Sequence, residues 1–390
     1  MIVHNKYCNK STFRMAGAFM AYVIGPGFAT GQEILQFFTS YGYLSYGGIL
    51  LSLIGYIFFS KTIFITGNNH KSKKSFNQFN YFCGKTLGAF YTWLHPISLI
   101  ILMPVLVSGA GAVFSEYFSI DHYIGSAIII GLVMYAYLTG FERLAKIVST
   151  IVPVVIVLSI LIGLIIIHKD LSNFVEIPKY EVILNGSQSS SNWMIGSILY
   201  LSSVFLGGST YFTHIGISAN SQEEAKYGAI IGTIIIVLAI AITNTAMLLN
   251  AESIYSLEIP MSFLAKKLSY KFGIIFSIVL LLGTFSSCST MMWSVCSRFT
   301  WKGKTRNRIY AIIMSILVYV LGLLPFSDLV GVVLPFLGLL PFSDLVGVVL
   351  PFLGYLGLVF IGCILYKSFK NYRDSRYNRV LDSFNSTNYK

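Results

Sequence analysis

Apolar segments recur along this chain at the length a helix needs to cross a bilayer, about 20 residues for ~30 Å of hydrocarbon. Short polar connections separate them from Arg14 to Tyr366. Ten spans are expected, at residues 14–40, 44–66, 87–118, 123–140, 145–167, 194–217, 227–249, 272–297, 309–324 and 345–366. They divide five and five around the longest polar connection, residues 168–193, which carries the tract "NGSQSSSNW". Five is odd, so the halves 14–167 and 194–366 enter the membrane from opposite sides, the parity an inverted repeat requires. One all-α membrane domain is therefore expected, ending in a basic tail at 367–390. The first span is not read as a secretory signal, because its apolar run is too long and no small-residue cleavage site stands out.

Two spans break the apolar pattern in the middle. Span 1 reads "IGPGFATGQEILQFF" from Ile24, with three glycines, a proline and a carboxylate. Span 6 carries Gly207, Gly208, Ser209 and Thr210 at its centre. A helix opens its backbone in lipid only where protein or a water-lined cavity supplies new partners, and interrupted spans at matching positions of two halves point to a transporter binding site. The expected solute site therefore comprises Gly25, Gly27, Phe28, Ala29 and Thr30 of span 1 with Ser203, Phe205, Gly207, Gly208 and Ser209 of span 6. Ser108, Gly109 and Gly111 of span 3 would leave room for the solute. Helix packing is the competing reading of the glycines.

Glu33 has two compatible readings: a proton relay or amine counter-ion within the membrane, and the last residue of a Thr30-x-x-Glu33 capping box. Lys146 and His214 are further proton-carrying candidates, beside ordinary roles as a membrane-end anchor and a packed polar residue. Span 8 concentrates Thr284, Ser286, Ser287, Ser289 and Thr290, whose hydroxyls suit either a hard cation or interhelical hydrogen bonds. One segment is repeated without a mismatch, residues 321–336 and 337–352. The added stretch is too short to cross as a helix, so a re-entrant or interfacial insertion or a register slip is expected. The connection after span 7 reads as a short interfacial helix.

Composition agrees with a membrane protein: 55% of residues are hydrophobic and 11% charged, and the mean hydropathy is +0.73. The formal charge of +12 would suit a nucleic-acid binder, but its distribution points elsewhere. Of the 27 basic residues, 22 fall in alternate connections and the two ends, and 5 on the other side. The positive-inside rule then puts both termini in the cytoplasm, with lipid rather than nucleic acid as the surrounding partner. The five scattered cysteines suggest neither a metal site nor a disulfide framework. A membrane-embedded hydrolase is disfavoured by the lack of a His-Glu-x-x-His motif or a Gly-x-Ser-x-Gly elbow.

The stretch "GPGFATGQEILQFF" resembles the first-span signature of the bacterial YkvI membrane-protein family, and the ten-span layout resembles it along nearly the whole chain. The broken spans are similar, more distantly, to the LeuT fold of the amino acid, polyamine and organocation transporters. The resemblance implies a bacterial plasma-membrane protein, not an enzyme, that binds a small solute. That protein is a sodium- or proton-coupled transporter of an amino acid or amine, or else a membrane sensor of the same fold. No cofactor is implied beyond a bound sodium ion. In sodium-coupled relatives the ion sits between span 1 carbonyls and span 8 hydroxyls. The matching positions are Ala21, Ile24, Gly283, Ser286 and Ser287, with Ser286, Ser289 and Thr290 as an alternative register. In proton-coupled relatives a span 5 lysine takes the sodium's place, which here implies Lys146.

Overall fold

The computed structural model describes residues 10–73, 76–179, 187–255, 257, 259–297, 304–323 and 342–388. All ten expected spans are helical there. Seven helices are long and apolar enough to cross a membrane. The remaining spans are the interrupted span 1 and the shorter apolar helices His122–Leu138 and Arg308–Leu323. The duplicated segment falls largely at 324–341, outside the described residues.

Span 1 is three helices in sequence, Lys10–Val23, Pro26–Thr30 and Gln32–Phe37. Proline at the first position of the second helix suits its fixed φ and costs no hydrogen bond. Gly31 ends that helix and begins the next at φ 87°, left-handed backbone that a Cβ would strain. Span 2 is Ser45–Asn69, and span 3, Gln78–Phe118, starts nine residues earlier than expected and turns at Gly84. Span 4 is His122–Leu138 and span 5 Phe141–Asp170. Spans 7 and 8 are Gln222–Leu248 and Tyr270–Cys296. The connection between them folds into the short helices Ala251–Ile254 and Pro260–Leu268, as the mixed pattern there suggested. Span 9 is Lys304–Leu323, and span 10 continues from Phe342 to Asn388 through most of the basic tail.

Span 6, Trp193–Ser218, is the most enclosed: 83% of its most apolar window is buried, against 33% for span 10. It is also unbroken, which corrects the expectation drawn from Gly207, Gly208 and Ser209. The polar side chains that suggested a break find partners without opening the helix: Ser209 Oγ donates to Leu206 O of its own helix at 3.0 Å, and Thr210 Oγ1 accepts from Gln78 Nε2 of span 3 at 2.7 Å. The glycines serve close approach instead. A Cβ on Gly207 would strike the Tyr22 hydroxyl, and one on Gly208 the Phe212 ring.

The serine-rich tract before span 6 folds over the end of span 1. Ser189 N donates to Gln36 O at 3.0 Å and Gln188 Nε2 to Ser40 O at 3.0 Å. Tyr41 Oη donates to Ser190 O at 2.8 Å and accepts from Ser190 N at 3.0 Å. Tyr41→Phe should therefore loosen this cover, costing about 1 kcal/mol. The expected readout is faster limited proteolysis between Leu171 and Trp193 with a small fall in melting temperature.

Candidate functional site

The interruption of span 1 lies against span 8. The first helical part closes with Ile24 N donating to Met20 O at 2.8 Å, and the second opens with Ala29 N donating to Gly25 O at 2.9 Å. Between them Gly25 is extended, at φ −102° and ψ −167°. Ser286 Oγ donates to Ala21 O at 2.9 Å. Ser287 Oγ is buried with no hydrogen-bond partner, and a Cβ built on Gly25 would fall on that oxygen. Gly283 faces the Gly25 carbonyl, 3.7 Å from where its own Cβ would lie. Ala21, Gly25, Gly283, Ser286 and Ser287 thus meet at one place, and Ile24 is fully buried beside them. In the alternative register Ser289 Oγ is also buried without a partner, whereas Thr290 Oγ1 donates back to Ser287 O. Leaving a buried hydroxyl unpaired costs about 1–3 kcal/mol, so each orphan needs an occupant or a function.

Phe28, Ala29 and Thr30 are buried. Gly27 lies in the short helix Pro26–Thr30, and its surroundings are outside the described residues. The capping box does not form. Gly31 holds the N-cap position without a side-chain bond, and Thr30 Oγ1 takes the Gln32 N–H at 3.4 Å instead of that of Glu33. One residue in left-handed backbone has shifted the helix start past Thr30. Gln32 turns to the connection after span 7, its Nε2 2.5 Å from Leu257 O. Glu33 is half-buried on another face of the turn, beside the Tyr200 hydroxyl and in the electrostatic neighbourhood of Tyr22 and Tyr56. The Tyr56 and Tyr200 hydroxyls are buried and close no hydrogen bond of full geometry. A half-buried carboxylate beside the Tyr200 hydroxyl can hold a proton or an ammonium group.

Aromatic rings fill the surroundings. Phe205 packs on Phe19, Tyr56, Phe59 and Phe212, with centroids 5.4–6.5 Å apart. Tyr22 stacks on Tyr211 at 6.4 Å. Ser203 Oγ donates to Tyr200 O within its own helix. His95 of span 3 bonds the Gly207 carbonyl at 2.8 Å, so this histidine ties spans 3 and 6 together at the glycine pair.

Other expected members are placed elsewhere. Gly111 faces span 4, where a Cβ would meet Ser126 and His122, and Ser108 Oγ is 3.4 Å from His122 Nε2. Both belong to the seam between spans 3 and 4. Gly109 has open space where its Cβ would lie. Lys146 is exposed, one turn before Ser149, the residue that opposes Gly17. Spans 1 and 5 run side by side, and seven residues on helices rising ~1.5 Å each put Lys146 about 10 Å along the bundle from the level of Ala21. It does not occupy the span 8 pocket. His214 packs with Phe141 and Trp293, centroids 5.6 and 5.8 Å away, at the same end of the bundle.

Sequence reading missed the tyrosines. Tyr22, Tyr56, Tyr200 and Tyr211 stand well inside spans, away from the membrane interface where a phenol is usually found. Their depth was the available signal.

The fold and the span 1 break define the chain as a LeuT-type helical membrane protein. Its structure superposes on MhsT, solved in complex with L-phenylalanine, with TM-score 0.63 at 14% identity, covering 93% of this chain and 92% of that one. A Na+-coupled sialic acid symporter in a substrate-bound outward-open state gives TM-score 0.62 at 13% identity, covering 89% and 78%. In sequence the chain is similar to the Bacillus subtilis (strain 168) protein described as uncharacterized membrane protein YkvI, 23% identical over 363 residues, 92% of this chain and 96% of that protein. No family model matches.

Proposed function

We propose that this protein is a secondary transporter carrying a small amino acid or amine across a bacterial plasma membrane by alternating access, with both termini in the cytoplasm. One observation carries the reading: an interrupted span 1 whose gap is faced by buried hydroxyls of span 8, with Ser287 Oγ unpartnered against Gly25. The binding region joins Gly25, Phe28, Ala29 and Thr30 to Phe205 and the Tyr22–Tyr56–Tyr200 cluster.

A co-transported sodium ion fits the donor set at Ala21, Ile24, Ser286 and Ser287, which is carbonyl and hydroxyl oxygen without sulfur or imidazole, the chemistry a hard cation takes. Such an ion would turn the Ser286 hydroxyl from donor to ligand and satisfy Ser287. Binding free energy at this point, shared by both parts of span 1 and span 8, would favour the conformation in which they meet. The MhsT and sialic acid symporter folds are consistent with this use of the break.

The test is melting of the purified full-length protein against amino acids and amines, each in sodium or in potassium. Ligand at a hundred times its dissociation constant stabilises by about 2.7 kcal/mol. A sodium-dependent shift, followed by sodium-driven uptake into proteoliposomes, is expected. Binding without concentrative uptake would replace transporter by sensor, and no ligand from either class would overturn the reading.

Glu33→Gln should keep the fold, since no cap depends on the carboxylate, yet weaken binding of an amine at least tenfold and flatten the pH dependence of uptake. Affinity and pH profile both matching the native protein would assign Glu33 to packing alone.

A further inference from the structure

A cleft distinct from the gap at Gly25 lies on the flank of the bundle and reaches Met20, about one turn before the span 1 break. Its volume is about 690 Å³, and it runs between spans 5 and 7 over the first helix of span 1. Lys10, Arg14 and Lys146 stand at one end, and Phe13, Pro153, Ile156, Val157 and Ile235 line the rest. Arg14 pairs with Glu142 at 3.5 Å, while neither Lys10 nor Lys146 has an ion-pair partner among the described residues. The nine residues before Lys10 contain no acid and one further lysine. Phe13 and Val157 are 55% and 53% exposed, so the cleft opens sideways to the surroundings of the bundle.

We propose that this cleft binds one anionic phospholipid, its phosphate at Lys10 and Lys146 and an acyl chain along Pro153, Ile156 and Val157. Three features of the cleft argue for a lipid. The bases are confined to one end, where the positive-inside pattern places the membrane surface, and attract an anionic headgroup. From Lys146 to Val157 the helix rises about 16 Å, roughly half of the ~30 Å hydrocarbon thickness and so the depth of one leaflet. Cleft walls that are apolar and laterally open suit a chain entering from the bilayer, whereas a soluble anion would leave them unused. Seated there, the lipid would touch the first helix of span 1 and span 5 together. It would brace against the bundle the part of span 1 that ends at the break.

The experiment is native mass spectrometry and melting of the purified full-length protein with phosphatidylglycerol, phosphatidylcholine, glycerol phosphate or inorganic phosphate. Retention and stabilisation by phosphatidylglycerol alone are expected. The exposed substitutions Lys10→Gln and Lys146→Gln should each weaken it about fivefold, and together about twenty-five-fold. Val157→Trp, which fills the apolar floor and leaves the bases, should also displace the lipid. Equal retention of phosphatidylcholine, or an undiminished preference in the double lysine variant, would overturn the proposal. So would an equal effect of glycerol phosphate or inorganic phosphate, which would make the cleft a site for soluble anions. Because the readout is lipid binding, the result is independent of whether the protein transports.

Discussion

Gly25→Val should abolish sodium-linked ligand binding, by a hundredfold or more in affinity, while leaving a folded protein. Gly25 is extended, at φ −102° and ψ −167°, which any residue adopts, so the expected loss is steric and not a backbone penalty. A Cβ there falls on Ser287 Oγ, and the two valine methyls would extend into the gap between the parts of span 1 and the hydroxyls of span 8. The check is a cycle with the smaller pair. Gly25→Ala should weaken binding by crowding and Ser287→Gly by loss of a ligand oxygen, and the double variant should lose less than their sum because the alanine Cβ fills space the serine vacates, giving a coupling energy well above the ~0.5 kcal/mol scatter of independent sites. Undiminished ligand-induced melting shifts in Gly25→Val would remove the break as the binding site. Ser286→Ala probes the same place more gently: loss of one ligand oxygen should cost about 1–3 kcal/mol of the sodium effect without blocking the solute.

Gly67→Val is expected to have the largest effect on stability. Spans 2 and 6 touch backbone to backbone at this level. A Cβ on Gly67 would strike Thr213 O, and one on Gly216 would strike Phe64 O. Asn68 Nδ2 bridges the contact, donating to Gly216 O at 3.3 Å and to Ala219 O at 2.7 Å. Neither clash meets a flexible side chain, so the helices must part and the Asn68 bonds stretch with them. The cost should reach about 3 kcal/mol, the upper end for overpacking, and Gly216→Val should match it. The measurement is thermal melting together with the yield of monodisperse protein. A change below about 0.5 kcal/mol would mean that the seam separates freely. The same variants distinguish a structural glycine from a functional one, since Gly25→Val should spare stability where Gly67→Val does not.

The two glycine sets also show where sequence reading succeeded and where it failed. In span 1 the glycines, the proline and the following polar residues agree with a real interruption, because Pro26 cannot donate and Gly31 adopts left-handed backbone. In span 6 an equally suggestive run is continuous helix, because Ser209 satisfies itself on its own backbone, Thr210 takes Gln78 of span 3, and the glycines receive Tyr22 and Phe212. Local composition is the same in kind; the partner decides the outcome. The capping box failed for a neighbouring reason, since Thr30 and Glu33 have the required spacing but Gly31 moves the helix start between them. Lys146 and Gly111 bear plausible residue types at positions that face the wrong neighbour.

What the sequence determined by itself is what each span needs alone. A helix in lipid must satisfy its own backbone and match the thickness of the hydrocarbon, so hydropathy and length located all ten spans, and the lysines and arginines implied their direction. The span 8 hydroxyls and the span 1 break were legible as candidates for the same reason, each being polar where an isolated span should not be. Only the tertiary structure decided which of those polar groups meet. Ser286 reaches Ala21 across 265 residues of chain, and the Tyr200 hydroxyl of span 6 comes beside Glu33 of span 1. Contacts between helices depend on rotation and depth, and a shift of one residue turns a side chain by about 100°, so periodicity within one span fixes neither.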